Sequence, residues 1–305
     1  MVRSLALFGE TAYDSVLING MVFGNDGRMM SKSLGNYVST PEVFNKYGAD
    51  ASRQWAAAGG STGTDIPFRW EDVEYGWRFQ RKLWNACRFA SMRLEDYNPS
   101  ETVELELIDK WILSKLEGTV KYCTEAMENC DFMNATENAR NFVWHVFCDH
   151  WLETAKTRLY GEGEEKVSAQ YTMYRAVERM LKLLSPIMPH STEEIYRTMY
   201  VDSSIHISEW PKYDESYINP KAEQAGEMII ATISEIRREK NRKGVSLNAE
   251  IEKVTVYATE EQLKTLNLGE KDIIDTLKIK DLEFTTGEGE SKLEEYPEIS
   301  FTMTL

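Results

Sequence analysis

Cysteine, histidine and proline are scarce in this 305-residue chain, with four, four and eight of each, and long apolar runs are absent. Cys87, Cys123, Cys130 and Cys148 form no CxxC pair, which argues against a zinc knuckle and against a secreted disulfide framework. They read as buried thiols. His145 and His150 are five residues apart rather than four, so they make no helical metal pair and read as packing histidines; no metal site is expected. No stretch approaches the roughly 18 apolar residues that span a bilayer, and Val2 to Phe8 is broken too soon by Gly9 and Glu10 to serve as a signal peptide. A soluble, cytoplasmic monomer with no membrane partner is expected. Positive charge is also short: 35 Lys plus Arg face 50 Asp plus Glu, a net charge of −15. That balance argues against nucleic-acid binding by bulk electrostatics, so any RNA contact must come from where the cations are placed.

With 42% hydrophobic residues over this length, the chain can bury more than one core, and two or three domains are expected. Residues 1–74 are mixed in pattern: Val16 to Phe23 reads as a strand, Gly24 to Gly27 as a turn, and Pro41 and Gly48-Ala49-Asp50 open two short helices. From 75 to 218 the period becomes 3.6, broken at Tyr97-Asn98-Pro99, Asn129-Cys130-Asp131, Gly161-Glu162-Gly163 and Ser185-Pro186. Four or five antiparallel helices fit. Trp144, Phe147, Cys148, Trp151 and Ala155 share a core stripe, and Ser191 with Glu194 makes a capping box that starts the last bundle helix. Residues 219–305 begin with a helix from Ala222 to Lys243, closed by Gly244, and continue with strands at 251–257, 279–285 and 299–305 and a short helix from Thr259. The fold class is therefore mainly α: an α/β piece, an antiparallel helical bundle, and a small α+β domain with helices on one side of three strands.

Two segments carry candidate chemistry. Asp26-Gly27-Arg28-Met29-Met30-Ser31-Lys32-Ser33-Leu34-Gly35-Asn36 sets two hydroxyls around one lysine in a glycine-bracketed loop, an arrangement able to hold a polyphosphate or to form only a solvated turn. Between Trp77 and Arg93 lie five cations and no acid. At 100° per residue Arg78, Arg81, Lys82, Asn85, Arg88 and Arg93 share one helix face with Phe89 in its middle, while Trp77, Phe79, Leu83, Trp84, Ala86, Cys87, Ala90 and Leu94 cover the core side. An aromatic ringed by cations suits unstacked RNA bases; a solvated face with Phe89 at its rim fits the composition equally well. Arg237 and Arg238, in a second basic cluster before Gly244, either contact RNA or simply favour the helix C-terminus through its dipole.

Met29 to Ser33 is similar to the KMSKS signature of class I aminoacyl-tRNA synthetases, and Leu34-Gly35-Asn36 continues it. Met29 replaces the first lysine, with Arg28 one place earlier. Gly63 to Phe68, Lys82-Leu83-Trp84-Asn85-Ala86, Asp109 to Leu113, Leu184 to His190 and Ile205 to Pro211 resemble the valyl branch of that family, archaeal members most of all, and the isoleucyl branch shares several of these pieces. The resemblance implies valine, ATP with Mg2+ and tRNA-Val as substrates of a full-length enzyme. It implies that Arg28, Ser31, Lys32 and Ser33 hold ATP phosphates, with Lys32 as the catalytic donor to the leaving pyrophosphate, a role worth roughly 3 to 4 kcal/mol of transition-state stabilisation. It also places Arg78, Arg81, Lys82, Asn85, Arg88, Phe89 and Arg93 in a tRNA-binding domain, joined by Arg237 and Arg238. The family's other signature, His-x-Gly-His, does not occur, and only 28 residues precede Met29. The expectation is a C-terminal part of a valine–tRNA ligase, without the editing domain or a tightly bound cofactor, that binds tRNA and is inactive alone. An isoleucyl fragment, a non-catalytic RNA-binding scaffold and a helical module that never meets RNA are the alternatives.

Overall fold

A computed structural model describes residues 2–99 and 103–305. The α/β piece holds α1 (Val2–Phe8), β1 (Val22–Phe23), α2 (Thr40–Tyr47), α3 (Ala49–Ala58) and β2 (Ile66–Pro67). Its two short strands run parallel, Val22 beside Ile66 and Phe23 beside Pro67. The strand expected from Val16 to Phe23 is thus reduced to its last two residues. Val16, Leu17, Ile18 and Met21 are exposed, because alternation makes a strand only where backbone partners lie alongside.

The bundle follows as α4 (Trp70–Arg93), α5 (Leu107–Glu128), α6 (Phe132–Asn141), a π-helical run Phe142–Trp151, α7 (Leu152–Tyr160), α8 (Glu164–Leu184) and α9 (Pro189–Met199). In the π run each N–H reaches five residues back, and Leu152 closes it onto the Phe147 carbonyl. Phe147, Cys148, Trp151 and Ala155 keep the expected core positions, but Trp144 turns to the rim, where its ring stacks on Tyr75 at 5.6 Å and 7°. The Ser191–Glu194 capping box does not form. The helix starts three residues earlier, with Met188 in the N-cap position and Pro189 as its first residue, and the Ser191 N–H and hydroxyl donate instead to the Asp50 carboxylate at 2.7 and 2.6 Å. Asp50, 2% exposed, thereby fastens the start of α3 to the start of α9.

The last unit opens with α10 (Pro220–Arg242) and continues through β3 (Ile251–Tyr257), α11 (Glu260–Asn267), α12 (Glu270–Leu277), β4 (Ile279–Thr285), β5 (Ser291–Lys292) and β6 (Ser300–Thr304). The sheet has four strands rather than three, in the order β4-β3-β6-β5. β3 and β4 are parallel, which requires the α11–α12 crossover, and β6 returns antiparallel to β3 with Val256 opposite Phe301. One apolar core runs from Phe79 and Leu83 of α4 through Trp111, Phe147 and Trp151 to Ile229, Val254 and Phe301, so the bundle and the last unit share it. A second, small core of Val43, Ala51, Phe68 and Val73 lies in the α/β piece. α4 contributes Val73 to the small core and Phe79 to Ala90 to the large one, about 36 Å of continuous helix joining the two.

Three cysteines are buried, with burial pushing the Cys123 and Cys148 thiols up to about 12; Cys130, at the bundle's first tight turn, is half-buried. His145 is not a packing residue: it is exposed, with Nδ1 3.0 Å from the Asp149 carboxylate. His150 is half-buried, and burial holds its imidazole below its ordinary range.

Candidate functional site

The candidate phosphate loop, Asp26 to Asn36, is built on a hairpin turn. The Phe23 backbone bridges to Met29, the Gly24 N–H donates to the Arg28 carbonyl at 2.8 Å, and Lys32–Leu34 form a single 3-10 turn. Gly35 ends that turn at φ +69°, a left-handed conformation that glycine adopts without cost. Asn36 ties both arms together: its Oδ1 accepts from the Ser31 N–H at 2.8 Å, and its Nδ2 donates to the Met29 carbonyl at 3.2 Å and to Asp26 at 3.1 Å. The bonds from Asn36 and from the Arg28 N–H hold the Asp26 carboxyl below its ordinary range. Asp26 and Asn36 are positioning residues that the sequence pattern contained without revealing their roles. The functional groups they frame face outward. Ser31 and Ser33 bring their hydroxyls to 2.8 Å from each other, Arg28 is exposed, and the exposed Lys32 ammonium lies 5.5 Å from the Tyr37 ring, with no carboxylate at ion-pair distance among the described residues. A loop of two hydroxyls and two outward cations on a fixed backbone fits the phosphates of a nucleotide.

The second cluster is the solvent face of α4. Its exposed arc is turned from the expected one. With Arg78 at zero, exposed side chains run from Trp84 at about −120° through Arg88, Arg81 and Asn85 to Arg78, whereas Phe89, Lys82 and Arg93, at about +20° to +60°, lie half-buried at the margin. Lys82 reaches Asp149 at 2.5 Å and the Trp144 ring at 4.5 Å, and is a strut between α4 and the π run. Arg78 pairs with Glu74 at 2.7 Å, an exposed i,i+4 contact worth about 0.3 to 0.5 kcal/mol and readily exchanged for a phosphate. Arg81 lies over Trp77 at 4.7 Å, and Asn85 and Arg88 stand in solvent, the Arg88 guanidinium without a hydrogen bond or ion pair among the described residues.

At the far end of the helix the margin becomes a platform. Phe89 meets Tyr160 edge-on at 6.0 Å, and the Arg93 guanidinium lies 4.6 Å from the Tyr160 ring and 5.9 Å from Phe89. Tyr160 is 64% exposed and offers ring surface to solvent beside the Arg93 guanidinium. No local signal in the sequence marks it, since the bundle's topology brings the end of α7 against α4. Trp84, expected in the core, is 44% exposed instead. Arg237 and Arg238 are engaged within the chain: Arg237 reaches Glu153 at 3.2 Å, and Arg238 reaches Glu235 at 3.0 Å and Glu294 at 2.6 Å.

Comparison with known proteins follows the same division. Residues 1–69 match the family described as "tRNA synthetases class I (I, L, M and V)", and residues 109–256 match "Anticodon-binding domain of tRNA ligase", with α4 between the two spans. The valine–tRNA ligase of Thermococcus kodakarensis is 45% identical over 296 residues, 94% of this chain and 33% of that protein. The chain belongs to the valine–tRNA ligase family of class I synthetases. The enzyme from Methanococcus maripaludis is 43% identical over 300 residues, again 94% of this chain and 33% of its own length, so the chain spans one third of the curated relatives it matches. These relatives favour the valyl branch over the isoleucyl one. A LeuRS from Agrobacterium radiobacter K84, solved in a ternary complex with tRNA and LeuAMS, shares the fold over 66% of this chain and 24% of its own, with a TM-score of 0.53 at 19% identity. Among the described residues no helix is long and apolar enough to cross a membrane.

Proposed function

We propose that this chain is the tRNA-binding and ATP-phosphate-binding part of a valine–tRNA ligase, acting in the cytoplasm as a monomer on tRNA-Val, valine and ATP with Mg2+. The observation that carries the reading is the solvent face of α4 beyond Glu74, which holds cations and no acid, mounted on a bundle whose later helices match an anticodon-binding domain. Arg78, Arg81, Arg88 and Arg93 are the four cations that phosphates of an anticodon loop would meet; Asn85 offers an amide to a base edge, and Phe89 with Tyr160 a surface for stacking. Lys82 contributes through the rigidity of the face. Arg237 and Arg238 would have to leave their carboxylates to meet RNA, so their part is secondary.

At the other end, Arg28, Ser31, Lys32 and Ser33 hold the nucleotide's phosphates, and Lys32, the catalytic residue, neutralises charge that builds on the leaving pyrophosphate. ATP itself supplies the activated phosphoryl group to which valine is joined. Asn36 and Asp26 hold the backbone of the loop that carries the two exposed cations.

Binding of a valine-anticodon stem-loop RNA to the whole chain tests the reading. With about four phosphate contacts, log Kd plotted against log salt has a slope of magnitude about 3, and Phe89→Ala weakens binding about tenfold. A chain that binds no RNA at low salt, or binds the cognate loop and a scrambled hairpin alike with Phe89→Ala without effect, refutes it.

A further inference from the structure

Trp84 is the most exposed aromatic side chain of α4. It is 44% exposed, and among the described residues no ring stacks on it and no cation lies over it, in contrast to Trp77, which has Tyr47 at 6.2 Å and Arg81 at 4.7 Å. Residues three and four apart are neighbours on a helix surface, so Arg81 and Arg88 flank the Trp84 indole from the turns on either side. No acid occurs in α4 after Glu74. A large π-face between two cations, in a field with no nearby carboxylate on its own helix, complements an anionic, planar ligand; a basic protein segment would be repelled, and an acidic one has no use for a stacking surface.

Its position relative to the Phe89 platform narrows the ligand further. Trp84 and Phe89 are five residues apart, about 140° around the helix and about 7.5 Å along it, with Asn85 and Arg88 between them. The two rings therefore bracket one amide and one guanidinium. A duplex buries its base faces against each other and cannot use two such platforms, whereas a loop with splayed bases can place one base on each while Arg88 holds the phosphate between them.

We propose that Trp84 is a second base-stacking platform: one unpaired nucleotide of the bound RNA loop stacks on the Trp84 indole between Arg81 and Arg88, and a different nucleotide stacks on the Phe89–Tyr160 platform. This inference rests on the RNA-binding reading of the α4 face, and the test separates the two. Binding of the stem-loop RNA is measured for the wild-type chain, Trp84→Ala, Trp84→Phe and Phe89→Ala, each against loops carrying an abasic site at one position in turn. Trp84→Ala weakens binding of the intact loop on the order of tenfold, and Trp84→Phe restores most of it. One abasic position abolishes the difference between wild type and Trp84→Ala, and a different one abolishes the difference for Phe89→Ala. A merely structural tryptophan would give a loss that no single abasic site removes, and that result overturns the inference. Unchanged binding in Trp84→Ala beside weakened binding in Phe89→Ala also overturns it and leaves the α4 reading intact; no binding by the wild-type chain overturns both.

Discussion

Asp272 carries the strongest electrostatic consequence of any single residue in the last unit. It lies on α12 against α7, 3.6 Å from the Arg158 guanidinium, which is itself held by Asp109 at 2.6 and 3.1 Å. Asp109 accepts also from Trp151 at 2.7 Å and Ser168 at 2.6 Å. Burial pushes the Asp272 carboxyl up to about 6, against the opposing pull of Arg158 and with a further push from Asp109. Folded protein keeps this proton to about pH 6, whereas the unfolded chain releases it near 3.8. The contribution to stability is therefore fully present below 3.8 and is lost as pH rises through 6, on the order of 3 kcal/mol in all. The stability difference between wild type and Asp272→Asn, from urea unfolding, falls by about that amount across this window; a difference that stays flat would show that folding leaves the Asp272 titration unshifted. The basic face teaches the complementary lesson at this scale. Spacing put Arg78, Arg81, Asn85 and Arg88 on one side correctly, because a helix fixes angles between its own residues. It could not say where solvent begins, and a turn of about 60° in that boundary moved Trp84 out and Phe89 to the margin.

Among the elements, α10 is the one on which the last unit depends. Its Gly226 lies so close to α5 that a β-carbon there would fall 2.3 to 2.6 Å from the Trp111 side chain, two fused rings that cannot move aside within a packed core. Gly226→Ala is expected to cost about 1 to 3 kcal/mol through overpacking and to lower the melting temperature by several degrees without loss of helix content, measured by circular dichroism. An unchanged melting temperature would mean that α10 and α5 can slide apart freely. Elements with a strong internal period were legible: α4, α5, α8 and α10 announce themselves by apolar spacing, and Thr259 with Gln262 forms a capping box where the helix was expected. Those that need a distant partner were not. Val16 to Met21 reads as the start of a strand, yet among the described residues only its last one finds a backbone partner, the Met21 carbonyl accepting from the Ile66 N–H at 2.9 Å; Ser191 reads as a cap until Asp50, far away in sequence, takes its hydroxyl.

Across the whole molecule, α4 is the physical link between the two proposed activities. One of its ends packs under the phosphate loop's small core and the other carries the Phe89–Tyr160 platform, while Asp50 and the Arg53 guanidinium, bonded to the carbonyls of Ile187 and Pro186, clamp α3 onto the start of α9. The proposed RNA face and the proposed phosphate loop are thereby held at a fixed distance from each other. The 305-residue chain has no His-x-Gly-His, so these residues are expected to leave valine-dependent exchange between ATP and pyrophosphate at background; turnover well above background would show that exchange does not need that signature. The sequence by itself determined the helical periods, the glycine-bracketed Ser31-Lys32-Ser33 loop, the cation-rich and acid-free stretch of α4, and the family, because each of these is written in residues close together along the chain. Only the tertiary structure decided which aromatic rings face solvent, which arginines are taken up by carboxylates, that Tyr160 joins Phe89, and that the bundle and the last sheet share one core. Those outcomes depend on contacts between residues remote in the chain, which no local pattern encodes.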